Sequence, residues 1–488
     1  MSYGCYLELI NRAFNKIEIT VEPTDKKEWG KPAMNKTTYN LSDNDYYRLD
    51  EYEMTPKGIH VLTAHGHFRV TISIDGEKEQ LQQDFDLEDG RHSGAVYRSF
   101  IYPSSSSGMD YAVLVSRGKY LQLSKNAKKE SGFVNDKGCY KFEFFRLSAR
   151  RFGVMNDYHF GDTNRKSQEA VVDKLINLQK RPEFIVMPGD LLDCPTAPAG
   201  DGNPLHFPAV RDIWGNLIDG LEEQSIPVAD GLGNHDLWTG FGGENVKGDI
   251  QQRNKKRIAE GSLFLPYGIS TADNAANYGN KGYHYTWFFP LKKNGKKVLV
   301  ANNLPGNANR TDPGDTGHGH DEGTYAFGAL DYLKASMRTM ACMPDYDYKV
   351  GIPMFHINYG CDVNGDTHGN PERWWTYADK KALKDVLDKA PIKIVTAFFG
   401  HEHVRSIEKQ TLYIGDRKDP ANKTEYSGYR CACSIDKPRL NIIDLELVEE
   451  NGHCKIKITP RFIEVAKLTS TDDCLPMIKE ELQSCIEL

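Results

Sequence analysis

Short groups of acidic, amide and imidazole side chains recur along this chain and could together bind metal ions. In chain order they are Asp157-x-His159, Gly189-Asp190-x-x-Asp193, Gly233-Asn234-His235-Asp236, a single His356, and Gly400-His401-x-His403. Carboxylate and imidazole ligands suit manganese, iron, zinc or nickel. A pair of such ions about 3.5 to 4 Å apart can clamp the attacking and leaving oxygens of an in-line displacement. The residue types therefore indicate hydrolytic chemistry at a two-metal centre.

Each of these groups lies at the end of a stretch that is typical of a buried strand, or a few residues beyond it. The apolar stretches cover 152–155, 184–187, 227–229, 351–355 and 393–399. A single motif carries little weight because it occurs by chance in many chains, whereas the ordered set at strand ends is specific. Open α/β sheets place ligand sites at the carboxyl ends of their strands. From about residue 150, alternating strands and helices are therefore expected to bring these side chains together.

The ordered motifs resemble those of the calcineurin-like metallophosphoesterase superfamily, whose signature runs D-x-H, G-D-x-x-D, G-N-H-D/E, H and G-H-x-H. The resemblance covers roughly residues 150–450 and departs at Asn156, where the family commonly has glycine. It implies an α/β fold, specifically an α+β sandwich in which two mixed β-sheets are flanked by helices. Segments 283–289 and 298–301 resemble a strand pair of that fold, and 327–340 resembles the helix that follows.

The resemblance also implies a ligand set for two divalent or trivalent ions, either Mn, Fe, Zn or Ni. Asp190 would bridge the two ions. The first ion's other implied ligands are Asp157, His159 and His403. The second ion's other implied ligands are Asn234, His356 and His401.

A mechanism follows from the same resemblance. A hydroxide between the ions would act as the nucleophile, because two cations lower the pKa of bound water towards neutrality. His235 would protonate the leaving oxygen, and Asp193 would orient this histidine. Such a proton donor is typically worth ~10²- to 10⁴-fold in rate. The expected activity is thus metal-dependent hydrolysis of a phosphate ester.

Two positions distinguish this chain from well-known subgroups of the superfamily. Asp193 stands where purple acid phosphatases have a metal-binding tyrosine. Cys194 stands where Ser/Thr protein phosphatases have an arginine that holds the substrate phosphate. Without that planar guanidinium, which grips a monoester dianion through two hydrogen bonds, the protein-phosphatase interpretation is weakened. Phosphomonoesterase and phosphodiesterase activities both stay open.

Three further histidines are weaker candidates for substrate contacts. His206 lies between Leu205 and Phe207, two residues after Pro204, while His318 and His320 lie in a Gly-rich loop between the third and fourth motifs. Loops of this kind shape substrate pockets in the resembling family, but solvated loops with no such role have the same composition.

Composition and charge exclude some classes of protein. The 488 residues carry a net charge of -7 without a stripe of Lys and Arg, which disfavours an extended nucleic-acid groove. Ten cysteines lack the spacing of a disulfide scaffold, so reduced thiols are expected. No signal peptide or transmembrane stretch is recognised, which predicts a cytoplasmic protein. Secretion by another route stays open, since N-x-Ser/Thr triplets begin at Asn35, Asn40, Asn309 and Asn422.

The sequence predicts three parts. Residues 1–146 form short extended runs separated by turn residues, which indicates an all-β, sandwich-like accessory domain. Residues 147–465 form the metallophosphoesterase domain, and 466–488 form a C-terminal tail or short helix. The accessory domain could bind carbohydrate, a lipid headgroup or protein, cover an edge of the catalytic domain, or mediate oligomerisation.

A second hypothesis of a different class is a non-catalytic, binding or toxin-like protein that retains a silent phosphoesterase fold. Loss of function in such proteins normally erodes the metal ligands, whereas this sequence retains the full set and the proton donor. Metal content and turnover distinguish the two hypotheses.

Overall fold

The computed structural model describes about half of the chain, in segments that contain all of the strands discussed below. The described residues are 3–12, 16–31, 33–41, 47–54, 65–74, 83–88, 97–101, 111–119, 138–159, 182–191, 217, 218, 221, 226–231, 233, 268–270, 285–304, 329–358, 377–414, 424–435, 437–464 and 479–488.

The N-terminal part contains two sheets with a shared core. A five-stranded sheet has the order β4-β1-β9-β8-β7, and a four-stranded sheet has the order β3-β2-β5-β6. Their buried faces contribute to one apolar cluster, which includes Leu7 and Phe142 of the first sheet and Ile19 and Phe68 of the second. The strands are β1 (Tyr3–Arg12), β2 (Ile17–Pro23), β3 (Thr37–Leu41), β4 (Tyr47–Met54), β5 (His65–Ile74), β6 (Gln83–Glu88), β7 (Tyr97–Ile101), β8 (Tyr111–Lys119) and β9 (Gly138–Arg146).

A six-stranded mixed sheet begins directly after these strands. Its order is β12-β11-β10-β21-β22-β23. β10, β11 and β12 are parallel, while β10 pairs antiparallel with β21, which continues through antiparallel β22 and β23. The strands are β10 (Ala149–Val154), β11 (Phe184–Met187), β12 (Val228–Asp230), β21 (Arg439–Glu450), β22 (His453–Glu464) and β23 (Ser484–Glu487).

An eight-stranded mixed sheet is built from the residues between β12 and β21. Its order is β13-β14-β15-β16-β18-β20-β19, with β17 also pairing with β16. β15, β16, β18 and β20 run parallel to one another. The strands are β13 (Gly268–Ser270), β14 (Tyr285–Lys293), β15 (Lys296–Leu304), β16 (Tyr348–Phe355), β17 (Lys393–Ile394), β18 (Ala397–Phe399), β19 (Glu408–Ile414) and β20 (Thr424–Arg430).

The eight-stranded sheet is buried on both faces, as its alternating side chains show. Val298 and Val300 of β15 belong to a core shared with the six-stranded sheet, whereas Leu299 and Ala301 pack in a second core. That second core is completed by two amphipathic helices, α1 (Ala329–Ala341) and α2 (Tyr377–Asp388). Parallel strands covered on both faces, such as β15, favour continuous apolar sequences of this kind.

The prediction of a helix-flanked α/β sandwich is wrong for the described part of the chain. Strands make up most of the described residues, and only two α-helices have described bounds. The described strands include antiparallel pairs joined by tight turns, among them β14 with β15 and β21 with β22. These two hairpins turn at Asn294-Gly295 and Asn451-Gly452, where all four residues have positive φ. The helix predicted at 167–179 lies outside the described residues.

Two shorter expectations concern the same region. The helix expected at 327–340 is observed as α1, and the strand pair expected before it is observed as β14 and β15. The C-terminal segment, expected as a tail or short helix, contains a 3-10 turn at Glu480–Leu482 followed by β23 on the edge of the six-stranded sheet.

Candidate metal centre

Three of the predicted ligands follow parallel strands of the six-stranded sheet. Asp157 and His159 lie beyond the end of β10, and Asp190 lies beyond the end of β11. The backbone N–H of Asp157 donates to the carbonyl of Gly189 at 3.3 Å, and that of His159 donates to the carbonyl of Asp190 at 3.1 Å. The two strand ends are therefore held side by side. All three side chains are buried, with at most 3% of each residue exposed.

The other three described candidates follow parallel strands of the eight-stranded sheet. His356 directly follows β16, and His401 and His403 follow β18, the parallel neighbour of β16. The backbone N–H of Gly400 donates to the carbonyl of His356 at 3.0 Å, which aligns the two strand ends. His356 is fully buried, whereas 39% of the His403 side chain is exposed. His403 therefore lies on the accessible side of the cluster.

The six side chains form two overlapping groups, each of which could hold a metal ion, and their ligand atoms lie within 4.8 Å of one another in each group. Asp190 belongs to both groups. The first group is Asp157, His159, Asp190 and His403, and the second is Asp190, His356 and His401.

Distances around Asp190 show how close the two groups are. Its Oδ2 atom lies 3.4 Å from Nε2 of His159 in the first group and 3.1 Å from Nε2 of His356 in the second. Oδ1 of Asp157 lies 3.6 Å from Nε2 of His403. The imidazole rings meet in pairs within each group, with centroids 5.0 Å apart for His159 and His403 and 5.2 Å apart for His356 and His401.

Left-handed backbone conformations are concentrated in this cluster. Non-glycine residues rarely adopt positive φ, because the side chain then crowds its own backbone, and such residues often mark functional sites. Among the described residues, three non-glycine positions outside the cluster have positive φ, and two of them are the hairpin asparagines. The cluster contributes five: Asp157 (φ 49°), His159 (φ 45°), Asp190 (φ 52°), His401 (φ 68°) and His403 (φ 48°).

Two glycines allow the backbone to pass close to the carboxylates. A Cβ atom on Gly233 would lie 2.2 Å from both the backbone nitrogen and Oδ1 of Asp190. A Cβ atom on Gly400 would lie 2.6 Å from Oδ2 of Asp157. Any side chain at either position would displace a candidate ligand. This role of Gly400 was not predicted, although the glycine of the last motif was available as a signal.

Hydrogen bonds orient the carboxylate of Asp157. The backbone N–H of His401 donates to its Oδ1 at 2.8 Å, and Nδ2 of Asn156 donates to its Oδ2. Asn156 stands where the resembling family commonly has glycine, and it is buried beside the ligand. Its backbone carbonyl also accepts from the N–H of Ser434 at 3.1 Å. The departure from the family pattern therefore supplies a donor to the candidate ligand.

The protonation state of His403 suits a metal ligand. Burial lowers the pKa of this imidazole below its usual value, an effect opposed by the charges of Asp157 and Asp190 and reinforced by His159 and His356. A neutral imidazole has the lone pair that metal coordination requires. The donor set of carboxylate oxygens and imidazole nitrogens fits a first-row transition metal. The described residues thus include a buried Asp/His cluster that could bind a metal ion.

Comparisons with known proteins do not assign the chain to a family. No family profile matches. No curated protein matches either. Among solved structures, one similar chain is described as "GAP50 the anchor in the inner membrane complex of Plasmodium". It is 14% identical, with a TM-score of 0.36, and the similarity covers 68% of this chain and 90% of that one. This similarity is too low to carry an argument.

The remaining predicted site residues lie outside the described part of the chain. They are the ligand Asn234, the proposed acid His235, its partner Asp193 and the weaker candidates His206, His318 and His320. Gly233 is described, which places the start of the third motif beside Asp190. Their roles stay predictions.

A set of polar residues beside the last motif was not predicted from the sequence. Glu402 lies between the two candidate histidines, and its carboxylate accepts hydrogen bonds from Asn358 and Arg430. Each of the three residues is unremarkable in sequence. The sequence indicated these residues only by their proximity to the motifs. Glu402 occupies the variable position in G-H-x-H, and Asn358 follows His356 by two residues.

The described helices give no sign of a membrane span. Neither of them is long and apolar enough to cross a bilayer.

Proposed function

We propose that this chain hydrolyses a phosphate ester at a centre of two metal ions, as its resemblance to the calcineurin-like metallophosphoesterases implies. One observation carries the proposal, namely that Asp190 belongs to both groups of possible ligands. A carboxylate shared by two ions holds them close together, which is the arrangement used to clamp a phosphoryl group in two-metal hydrolases. The two groups coincide with the ligand sets that the resemblance implies, apart from Asn234.

The proposed ligands divide between the ions as follows. The first ion would be held by Asp157, His159, Asp190 and His403, and the second by Asp190, Asn234, His356 and His401. Ions bound there would supply Lewis acidity to a phosphoryl group and lower the pKa of water. The donor set is compatible with Mn, Fe, Zn or Ni.

Side chains of the protein would then protonate the leaving oxygen of the substrate and hold the proton donor in place. His235 follows the proposed ligand Asn234 directly in sequence and would donate a proton to the leaving oxygen. Asp193 would hold the imidazole of His235 in the orientation for this transfer. The partly exposed His403 lies on the side from which a substrate could approach the otherwise buried cluster.

The class of phosphate ester that is hydrolysed would be identified by comparing hydrolysis rates of several esters. Cys194 replaces the arginine that grips a monoester dianion in Ser/Thr protein phosphatases, so diesters and nucleotides are included beside monoesters. The experiment measures metal content by mass spectrometry and Mn²⁺-dependent hydrolysis of nitrophenyl phosphate, bis-nitrophenyl phosphate, cyclic nucleotides and pyrophosphate. Asp190→Asn protein, purified in the same way, controls for contaminating phosphatases.

Two equivalents of metal with turnover that Asp190→Asn abolishes would support the proposal. Metal binding without turnover of any ester after reconstitution would overturn it and favour the silent binding protein instead. Absence of bound metal under all loading conditions would overturn both the centre and the activity.

A further inference from the structure

We propose that Glu402 is a positioning residue that fixes the two histidines of the last motif and thereby couples the two metal groups. The inference rests on the metal centre of the proposed function, but not on the identity of the substrate. Glu402 lies between His401 of the second group and His403 of the first group. A shift of its backbone would therefore move a candidate ligand of each ion.

The Glu402 carboxylate is held at both oxygens. Nδ2 of Asn358 donates to Oε1 at 3.0 Å, and Nη1 of Arg430 donates to Oε2. Only 7% of the Glu402 side chain is exposed, and Asn358 is buried. An ionised acceptor with two donors in a buried setting forms hydrogen bonds that are stronger than neutral ones. The side chain is therefore well fixed.

The two donors come from the strands on either side of β18. Asn358 lies two residues beyond His356 and three beyond Phe355, the last residue of β16. Arg430 ends β20, where it pairs in register with Phe399, the last residue of β18. Since β18 leads directly into residues 400–403, Glu402 links this turn to both neighbouring strands. The candidate ligand His356 directly follows one of those strands, β16.

The turn itself needs such support. His401 and His403 both have positive φ, and the N–H of Glu402 donates to the carbonyl of Gly400 at 2.8 Å in a tight turn. Left-handed backbone at two nearby non-glycine residues persists only where its surroundings hold it. Asp157 holds one side of the turn through the N–H of His401. The Glu402 carboxylate holds the other side.

Arg430 offers a matched control. Its Nη2 atom donates to Oε2 of Glu408 at 2.5 Å, so two carboxylates share one guanidinium. Glu408 begins β19 and lies outside the turn that carries the histidines. Neutralising Glu408 removes the same charge from the same arginine as neutralising Glu402. The Glu402 side chain is 7% exposed and that of Glu408 is 41% exposed, so stability is compared separately for the two variants. A difference in metal affinity between folded variants then reports the tether to the turn.

The test compares Glu402→Gln with Glu408→Gln in the full chain. Metal affinity is measured by calorimetry with Mn²⁺, and ligand geometry by the visible spectrum of the Co²⁺-loaded protein. A glutamine at 402 would keep one hydrogen bond but direct its NH₂ group at the other donor. Loss of a partner that orients metal ligands typically costs about 10- to 100-fold in metal affinity. We expect a loss of that size and an altered spectrum for Glu402→Gln, with wild-type values for Glu408→Gln.

Two further measurements keep the outcome decisive. Thermal denaturation of the metal-free proteins shows whether Glu402→Gln is folded, and Asn358→Ala removes one tether while leaving the carboxylate in place. A folded Glu402→Gln variant with wild-type affinity and spectrum would overturn the inference, as would equal losses in the Glu408→Gln variant. If Glu402→Gln does not fold, wild-type metal binding by Asn358→Ala overturns it instead.

Failure of the proposed role of Glu402 can be distinguished from failure of the proposed hydrolytic activity. Wild-type protein that binds metal but hydrolyses no ester removes the proposed activity and leaves the role of Glu402 measurable. Wild-type protein that binds no metal removes both.

Discussion

The backbone N–H of His401 donates a 2.8 Å hydrogen bond to Oδ1 of Asp157, a residue 244 positions earlier in the chain. Asp157 follows a strand of the six-stranded sheet and His401 follows a strand of the eight-stranded sheet. The candidate centre therefore lies where the ends of two packed sheets meet. Its ligand set is incomplete on either sheet alone.

The sharing of Asp190 predicts different metal losses for different ligands. His403→Ala should lose the first ion, and His401→Ala should lose the second, because each histidine belongs to one group. Asp190→Asn should weaken both sites, since the amide lacks the charge that a shared ligand provides. Metal stoichiometry by mass spectrometry checks the three variants. Equal loss of both ions in the two histidine variants would contradict the division into groups.

Gly233 predicts a close steric effect on Asp190. In Gly233→Ala the new Cβ would overlap the backbone nitrogen and Oδ1 of Asp190, each 2.2 Å away, so metal binding should fall sharply. Gly452→Ala is the control, because its Cβ would have no neighbour within 4 Å and only the positive φ of 79° is unfavourable. We expect Gly452→Ala to lower the free energy of unfolding by about 1 kcal/mol and to leave metal binding unchanged. Calorimetric metal titration and urea denaturation distinguish the two effects.

If His235 is the proton donor, the effect of replacing it on the turnover rate should depend on the leaving group. His235→Ala should retain both ions but slow turnover by roughly 10²-fold or more for an alkyl phosphate, whose leaving oxygen needs a proton. Nitrophenyl esters, which release a stable phenolate, should be slowed much less. Rates on the two substrates at saturating Mn²⁺ provide the measurement. Equal slowing of both substrates would show that His235 does not act as the acid.

The described cysteines predict a pattern of alkylation. Burial raises the pKa of Cys431, and the charge of Asp157 raises it further, so this thiol stays protonated and unreactive at neutral pH. Cys433 and Cys454 are also buried, whereas Cys342 and Cys485 are exposed, and all five are free thiols. Iodoacetamide should modify Cys342 and Cys485 in the native protein and Cys431 only after denaturation. Peptide mass spectrometry reads out each site; rapid native labelling of Cys431 would contradict its placement.

The buried pair of Arg150 and Glu183 predicts a strongly non-additive effect on stability. Nε of Arg150 donates to Oε2 of Glu183 at 2.7 Å, and neither side chain is exposed. Arg150→Met should cost about 3 to 5 kcal/mol, because it leaves a buried carboxylate without its cation. Arg150→Met combined with Glu183→Leu should recover much of that loss. Urea denaturation of the single and double variants measures the coupling, and simple addition of two losses would contradict it.

The position of the described candidate ligands beyond strand ends could be predicted from sequence, because apolar runs that stop at polar clusters mark carboxyl ends. The structure places Asp157, Asp190 and His356 after such strands. The layer arrangement could not be predicted in the same way. The same pattern precedes a helix or a hairpin, and pairing between distant strands such as β10 and β21 leaves no local signal.

The supporting contacts of the site were equally hidden. The link from Glu402 to Asn358 and Arg430 joins residues 44 and 28 positions away. Nothing in the spacing of G-H-x-H requires a particular residue at its variable position. Likewise, the steric need for Gly400 becomes evident only when Asp157 is seen beside it.

The order of strands in the six-stranded sheet affects how the protein can form during synthesis. β10, β11 and β12 come from residues before the eight-stranded sheet, whereas β21, β22 and β23 come from residues after it. A nascent chain that has emerged as far as Asp230 carries Asp157, His159 and Asp190, but β10 still lacks its partner β21. Contacts so distant in sequence form slowly. The ribosome must therefore deliver residues of β21 (Arg439–Glu450) before β10, which leads into Asp157, can pair with that strand.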